Sequence, residues 1–496
     1  MTTSIAYQIE YARSLRGLLP LWVGMAVYAL FLLAGNRLLI DPDTMWQVTV
    51  GQWIIDHHSV PHTDIYSFTM YGQPWISTEW LAQVAYAWAY SVAGWAGPVV
   101  MASLSIAATF ALFVRFLRRY LTQSTTLVFF AGALALMVPH LLARPHVLAM
   151  PVMVMWVGGL LVAADRRKAP SFWLLPLMTL WANLHGGFVL GLFLVAPFGI
   201  DAVLTADKSC RKALSLEWIA FSLAAFAMSC ATPYGWNSLL AAKRIIDLGD
   251  ALSLIIEWRP ADFSSVGALE VCILASLGLA LFRSVTLPAL RILIVLGLLH
   301  MALSHSRNLE LFALLAPMTI ACPLGKRINL VEEQSVPAEQ SRSTLFLGLG
   351  ICILTGTIAF ASEHHFEPHP HGSPVAAVTA LKKLKVSRVF NAYDFGGYMI
   401  ANGVAPFIDG RTELYGAKFM ISHNNASTLD DPETLFRLLE EYKIEATLMR
   451  TKNPAAKLLD HLDGWQKVYA DDIAVIHIRK PDTVHTAEPV IDSIVK

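Results

Sequence analysis

Long, uninterrupted apolar runs limit most strongly what this chain can fold into. Of its 496 residues, 55% are hydrophobic and only 15% are charged. The apolar residues stand in continuous runs and not in the stripes of a soluble amphipathic helix, and a run of about 18 residues is long enough to cross a bilayer. The sequence therefore predicts a mainly α-helical, polytopic transmembrane bundle. The formal net charge of zero gives no reason to expect a nucleic-acid partner.

Run lengths predict about eleven membrane-spanning helices. The first run, residues 18–34, follows a polar leader like that of a signal peptide, but Leu32 and Leu33 stand where a cleavage site needs small residues. We therefore expect this run to be a retained span. The predicted spans begin near Leu18, Pro98, Thr125, Val147, Ser171, Phe188, Leu216, Val266, Leu287, Leu309 and Thr344.

Lysine and arginine residues indicate the orientation. If the N-terminus is cytoplasmic and the spans alternate, nearly every inner loop carries basic residues, as is typical of cytoplasmic loops. The C-terminal segment then lies outside. The inner basic residues are Arg13, Arg16, Arg115, Arg118, Arg119, Arg166, Arg167, Lys168, Lys208, Arg211, Lys212, Arg283, Lys326 and Arg327.

Residues 1–361 are expected to form the transmembrane domain, with a long first outer loop at 41–80. Residues 79–94 are apolar and aromatic but few, and counting them as a span would move inner arginines outside. We therefore predict an interfacial or re-entrant helix on the outer face. Residues 44–56 are predicted to behave likewise, with an apolar stripe of Trp46, Val50, Trp53 and Ile54.

The end of the chain has a different, more polar pattern. After a linker at 362–373, residues 374–482 predict an extracytoplasmic α/β domain because helical and strand patterns alternate; residues 483–496 are expected to be a flexible tail. Helices are predicted at 374–384, near 398, at 432–442 and at 454–462. Strands are predicted at 388–391, 406–408 and 447–450, with two more around 471–472.

Polar side chains at the span ends gather on the predicted outer side. Charged groups near membrane depth are costly and usually face a cavity, so this concentration indicates a functional site. We predict Asp41 and Asp43 as catalytic residues. The predicted substrate-binding residues are Glu79, Arg144, His146, Asn183, His185 and Arg307.

The two aspartates and two arginines carry the clearest chemistry. Asp41 and Asp43, on either side of a proline, suit a general base for a hydroxyl or a clamp for a divalent cation. The alternative is a helix cap followed by a turn. Arg144 and Arg307 suit bidentate binding of a phosphate, or anchoring by contact with lipid headgroups.

The other polar candidates also have two interpretations. Asn183 and His185 precede a Gly-Gly pair that would expose backbone N–H groups to an anion, or they mark a helix break that binds water. Glu79 contacts a sugar hydroxyl or caps a helix. Asp409-Gly410-Arg411 follows a predicted strand, where sites often lie, but we favour a turn with a local salt bridge.

Histidine spacing assigns no metal centre. The spacings match no tetrahedral zinc pattern, and the second group fits a solvated linker. The two groups are His57, His58 and His62, and His364, His365, His369 and His371.

Several segments resemble one bacterial membrane-protein family, which belongs by its architecture with the C-type glycosyltransferases. They are DPDTMWQVTVGQWIIDHHSVPHTDIYSFTMYGQPWISTEW, which begins at Asp41, and the later ARPHVLAM, WANLHGGFVLG, SRNLELFALLAP and FIDGRTELYG. The resemblance covers most of the chain. C-type glycosyltransferases are multi-span enzymes that take sugar from a polyprenyl-phosphate carrier, and many carry an extracytoplasmic C-terminal domain.

The resemblance implies an enzyme of the bacterial inner membrane and cell envelope. It would transfer a sugar from a polyprenyl-phosphate donor to a glycan, lipid or protein acceptor on the extracytoplasmic face. The general base of such enzymes is an acidic residue near the start of the first outer loop, which falls on Asp41 or Asp43. No cofactor is assigned, and a requirement for a divalent cation stays open.

Two other classes of membrane protein would use the same polar residues for a different function. A transporter or channel would use them as a substrate path, but it needs polar groups near mid-bilayer and often has inverted repeats, which the sequence does not favour. A non-catalytic lipid-binding or scaffold protein would use the α/β domain as an interaction module. Its function would not depend on the aspartates.

Overall fold

The computed structural model describes residues 18–283, 286–328 and 343–480. The predicted basic leader with Arg13 and Arg16 and the predicted tail at 483–496 lie outside these residues. The part of the chain before the C-terminal domain contains helices α1 to α14. Their bounds are Leu19–Leu33, Asp43–His57, Trp80–Ala93, Ala96–Leu117, Gln123–Met137, Pro145–Asp165, Leu175–Leu184, Phe188–Thr205, Arg211–Ser229, Asn237–Ile246, Ala268–Arg283, Ala289–Ser304, Leu309–Ile328 and Ser343–Glu363.

Within the described residues, six helices are long and apolar enough to cross a membrane. They are Ala96–Leu117, Gln123–His140, Pro145–Asp165, Phe188–Thr205, Arg211–Ser229 and Ser306–Lys326. Shorter apolar helices coincide with the remaining predicted runs, at Leu19–Leu33, Phe172–Leu184, Ala268–Phe282, Ala289–Ser304 and Gly350–Glu363. The prediction of a mainly helical, multi-span membrane protein is confirmed, whereas the number eleven stays a prediction.

A charged group is buried inside the bundle at one end. Arg291 of α12 donates from Nε to Asp201 of α8 at 2.7 Å and from Nη2 to Asp165 of α6 at 2.9 Å. Its Nη1 donates to the Thr319 carbonyl of α13 at 3.1 Å. We call Arg291, Asp165 and Asp201 the Arg291 triad. Because Asp165 is the last residue of α6, the triad lies about 30 Å along that helix from Arg144, which precedes it.

Helix α2 lies between α3 and the C-terminal domain. Trp46, Val50 and Ile54 are buried in one cluster with Trp75 of the first loop and Ile400 of the C-terminal domain. The predicted apolar stripe is therefore buried, and it packs on protein, whereas an interfacial position of this helix stays a prediction. A stripe shows only which face is buried and not what covers it.

The C-terminal domain is a mixed sheet with helices. Its four strands have the order β1-β2-β4-β3, in which β1 and β2 are parallel and the other pairs are antiparallel. Helices α15 to α19 are Val375–Leu384, Gly396–Ala401, Thr412–Thr428, Pro432–Glu441 and Pro454–Leu459. Strands β1 to β4 are Val389–Asn391, Ala446–Arg450, Trp465–Ala470 and Ala474–Arg479. The predicted small α/β domain is confirmed in outline.

One prediction in this domain was wrong, and one helix was missed. Residues 406–408 form no strand but only an isolated bridge from Pro406 to Val389, since the side chain of Asn391 accepts the N–H of Phe407 that a ladder would use. Helix α17 was not predicted. Its helical pattern is interrupted at Gly416, whose φ of +75° kinks the helix.

The connector between the two parts is partly packed. His364 and His365 are exposed, as expected of a solvated linker. Phe366, in contrast, is 5% exposed and lies against Gly35 at the end of α1. The connector therefore holds the C-terminal domain close to α1.

Candidate active site

Three carboxylates from distant parts of the chain converge on Arg144. Asp41 lies between α1 and α2, Asp43 is the first residue of α2, and Glu257 lies in a short 3-10 helix before α11. Arg144 pairs with Asp43 and Glu257, and its Nη1 is 3.4 Å from Asp41 Oδ2. In the sequence, Glu257 belongs to the polar residues at the predicted outer span ends, but nothing in its surroundings assigned it a specific role. We call Asp41, Asp43, Glu257 and Arg144 the carboxylate centre.

Asp41 and Asp43 have different surroundings although they are two residues apart. Asp41 Oδ1 accepts the N–H of Asp43 at 2.7 Å, which is the turn expected at a helix start. Burial raises the pKa of Asp41 to about 7, with smaller increases from Asp43 and Glu257 and an opposing effect of Arg144. Asp43 instead accepts from Trp46 Nε1 at 3.0 Å and pairs with Arg144. The two aspartates therefore form a turn at the start of α2 and at the same time belong to the carboxylate centre.

A second cluster surrounds Glu79. Its Oε2 accepts from Gln47 at 2.7 Å, and Gln47 in turn accepts from Gln83, which accepts from Ser77. Glu79 precedes α3, but its side chain makes no capping hydrogen bond there. Burial raises the pKa of Glu79, and the hydrogen bond from Gln47 lowers it in part. This carboxyl group therefore faces the interior and not the helix end.

Two histidines join this cluster. His185 Nδ1 accepts the N–H of Gly187 at 3.1 Å, which leaves the proton on Nε2, 3.5 Å from Glu79. Burial lowers the pKa of His185 well below its usual value, so the ring is neutral. His146 Nε2 is 3.3 Å from Glu310, and the two imidazole rings are 6.2 Å apart.

Arg307 is bound differently from Arg144. Its guanidinium lies 4.5 Å from the ring of Trp258, and no carboxylate of the described residues lies within the 4.0 Å of an ion pair. Its charge interacts over a longer range with Glu257, Glu79 and Glu310. A half-buried guanidinium with free donors suits an anionic ligand.

Asn183 links its own helix, α7, to Ala231 and to Trp80 by hydrogen bonds. Its Nδ2 donates to the carbonyls of Thr179 and Ala231 at 2.7 and 3.0 Å, and its Oδ1 accepts from Trp80 at 2.7 Å. All its strong hydrogen-bonding positions have internal partners. The structure thus brings the eight predicted site residues into two adjoining clusters, to which Asn183 is joined by its hydrogen bond with Trp80, the residue after Glu79.

Metal binding does not fit the carboxylate centre as it is arranged. Among residues 18–283, 286–328 and 343–480, no group of three acidic, histidine or cysteine residues has the geometry to hold a metal ion. The three carboxylates of the centre turn towards the guanidinium of Arg144, which neutralises part of their charge.

Comparisons with known proteins bear on the fold. No family model matches the sequence, and neither does any curated protein. The fold is similar to that of the archaeal oligosaccharyltransferase AglB from Archaeoglobus fulgidus, solved with an inhibitory peptide and a dolichol-phosphate. The TM-score is 0.50 at 12% identity, over 86% of this chain and 69% of that chain. The chain therefore has a fold similar to that of this oligosaccharyltransferase, and its activity has to be argued from its own residues.

Proposed function

We propose that this protein is a glycosyltransferase that moves a sugar from a polyprenyl-phosphate carrier to an acceptor hydroxyl on the extracytoplasmic face. The supporting observation is the carboxylate centre. It combines the Asp41 carboxyl group, whose pKa burial raises to about 7, with Arg144. A second arginine, Arg307, has no carboxylate of the described residues within ion-pair distance, and the fold is similar to that of AglB. The AglB structure contains dolichol-phosphate, which agrees with a lipid-linked donor.

Asp41 is the better candidate for the general base. A general base works best when its pKa lies near the working pH, because it is then partly ionised and still accepts a proton readily. Burial raises the pKa of Asp41 to about 7. Asp43 pairs closely with Arg144 through one oxygen and accepts from Trp46 through the other, whereas the Oδ2 of Asp41 is 3.4 Å from Arg144 and is held less tightly. In the proposed reaction the acceptor oxygen bonds to the anomeric carbon and the acceptor proton passes to Asp41. The bond from that carbon to the phosphate oxygen breaks with its electron pair.

The leaving phosphate requires positive charge, and Arg307 is the proposed source. Its guanidinium lies over the Trp258 ring and has no ion-pair partner among the described residues, so it can bind the phosphate oxygens and stabilise the charge that develops on them. Arg144 has a different role, since it is occupied by three carboxylates. It holds the carboxylate centre in one geometry.

A lateral cavity offers a route for the carrier lipid. A volume of about 380 Å³ opens between α5, α11 and α13. Its lining includes the apolar residues Leu136, Phe263 and Leu269 and the charged residues Arg259, Asp262 and Glu270. It adjoins the site, because Ser306 lines it and donates to the carbonyl of Glu257 at 2.9 Å. A lipid tail in this cavity would bring its phosphate towards Arg307.

The proposal is tested with the purified full-length chain in lipid nanodiscs. Polyprenyl-phosphate sugars of several types are offered with glycan, lipid and peptide acceptors, with and without divalent cations, and release of polyprenyl phosphate is measured. We expect turnover that the double substitution Asp41→Asn and Asp43→Asn abolishes while the fold is retained. Full turnover in that double variant would exclude the mechanism. No turnover with any donor, together with substrate uptake in proteoliposomes, would favour a transporter.

A further inference from the structure

A turn of the C-terminal domain lies directly on the first residues of α2. Gly410 faces the Asp43 carboxylate so closely that a methyl group on its Cα would overlap the carboxylate oxygens. A methyl group on Gly397 would lie 2.6 Å from the Pro42 carbonyl oxygen and 3.1 Å from the Trp46 ring. Only a glycine backbone can approach this closely. The C-terminal domain therefore forms one wall of the carboxylate centre.

A buried ion group fixes this turn, residues 409–411, to the first outer loop. Arg411 donates from Nη1 to Asp64 at 2.5 Å and from Nε and Nη2 to Asp409 at 2.8 and 2.7 Å. Tyr415 donates to the same carboxylate at 2.6 Å. Although burial raises it, the pKa of Asp409 lies below its usual value because Arg411 and Tyr415 favour the charged form. Separating such a group is strongly unfavourable, since each charge would stay desolvated.

Further contacts lock the loop and the domain together beside the turn. The N–H of Phe68 donates to the Pro406 carbonyl at 3.3 Å, and Thr69 Oγ1 donates to the Phe407 carbonyl at 2.7 Å. On the other side, the Arg411 guanidinium lies 4.8 Å from the ring of Trp75. The turn is thus held on both sides of Gly410 by loop residues that precede α3.

Asp43 is enclosed as a result. One oxygen accepts from Trp46, the other pairs with Arg144, and Gly410 covers the carboxylate. On the basis of the proposed function, we propose that Gly410 and Arg411 are positioning residues. They hold Asp43 against Arg144 and thereby fix the geometry between Arg144 and the base Asp41. The C-terminal domain is then a structural part of the catalytic centre and not a separate module.

The test uses Gly410→Ala in the full-length chain, with Gly297→Ala as control because an added methyl there meets no atom within 4 Å. One readout is independent of activity: carboxyl groups are coupled to an amine with a carbodiimide and located by tandem mass spectrometry. We expect Asp43 to resist coupling in the parent chain and in Gly297→Ala. In Gly410→Ala its coupling should rise several-fold.

The second readout is donor turnover. Displacement of a catalytic group by about 1 Å can lower a rate about 100-fold, so kcat of Gly410→Ala should fall ~10- to 100-fold while KM for the lipid donor stays unchanged. Arg411→Lys keeps the charge but loses the planar fork, and it should give an intermediate loss. This variant decides the question if Gly410→Ala does not fold.

The outcomes separate this inference from the proposed function. Coupling and turnover of Gly410→Ala equal to those of Gly297→Ala would overturn the inference and leave the transferase intact. If the parent chain turns over no donor, the proposed function fails, and the coupling experiment still decides whether the 409–411 turn encloses Asp43.

Discussion

At the scale of single residues, Asp41 and Asp43 show how two identical side chains acquire different chemistry. A general base acts as the carboxylate, which forms as pH rises through its pKa. Because burial raises the pKa of Asp41 to about 7, kcat/KM should fall about tenfold per pH unit below 7 and reach a plateau above it. The measurement is donor turnover between about pH 5 and 9.

Single substitutions assign this pH dependence to one residue. Asp41→Asn should lower the rate about 10²- to 10⁴-fold and remove the acid limb of the profile. Asp43→Asn should lower the rate by disturbing Arg144 but keep the limb, since the base remains. If Asp43→Asn removes the limb and Asp41→Asn keeps it, the two roles are exchanged.

Arg307 offers a second prediction at this scale. A charge-assisted hydrogen bond contributes about 1.5–3 kcal/mol, so Arg307→Gln should raise KM for the lipid donor about 10- to 100-fold. The fold should be unaffected, because no described carboxylate forms a close ion pair with this arginine. Arg244→Gln, on an exposed face of α10, is the control. An unchanged KM with Arg307→Gln would mean that the phosphate binds elsewhere.

At the scale of helices and strands, the sequence allowed most elements to be predicted, because apolar run length and alternation depend on local chemistry. The failures have local causes too. Helix α17 was missed because its sequence carries the φ-positive Gly416. The Arg291 triad was missed because its arginine stands inside an apolar run and its partners are 90 and 126 positions distant. Pairing over such separations leaves no pattern in a single sequence.

The Arg291 triad should stabilise the bundle only while all three of its charged groups are present. Removing one partner leaves buried charges unpaired, which costs about 3–5 kcal/mol, whereas replacing a whole ion group by apolar residues is often neutral. Arg291→Met should therefore lower the thermal unfolding temperature in detergent. The triple variant with Asp165→Leu and Asp201→Leu should recover most of the loss. A triple variant less stable than Arg291→Met would show that the triad contributes more than paired charge.

At the scale of the whole molecule, the candidate site could be predicted only in part. Basic loops and polar span ends were enough to place Asp41, Arg144 and Arg307 at one end of the bundle, because both features are read along the chain. The contact of Gly410 with Asp43 was not predictable, since it depends on how the C-terminal domain packs on α2. A buried stripe on one helix does not identify the surface that covers it.

Orientation in the membrane is the last prediction, and the transferase depends on it. Loops with Lys and Arg favour the cytoplasm, so Cys210, exposed in a basic loop, should face inward and Lys457, exposed on the C-terminal domain, should face outward. In a Cys352→Ser background, a membrane-impermeant maleimide should label Lys457→Cys in spheroplasts and Cys210 only in inverted vesicles. The reverse pattern would place the carboxylate centre on the cytoplasmic side, where nucleotide sugars are the available donors. It would therefore contradict the outer-face transfer proposed for this chain.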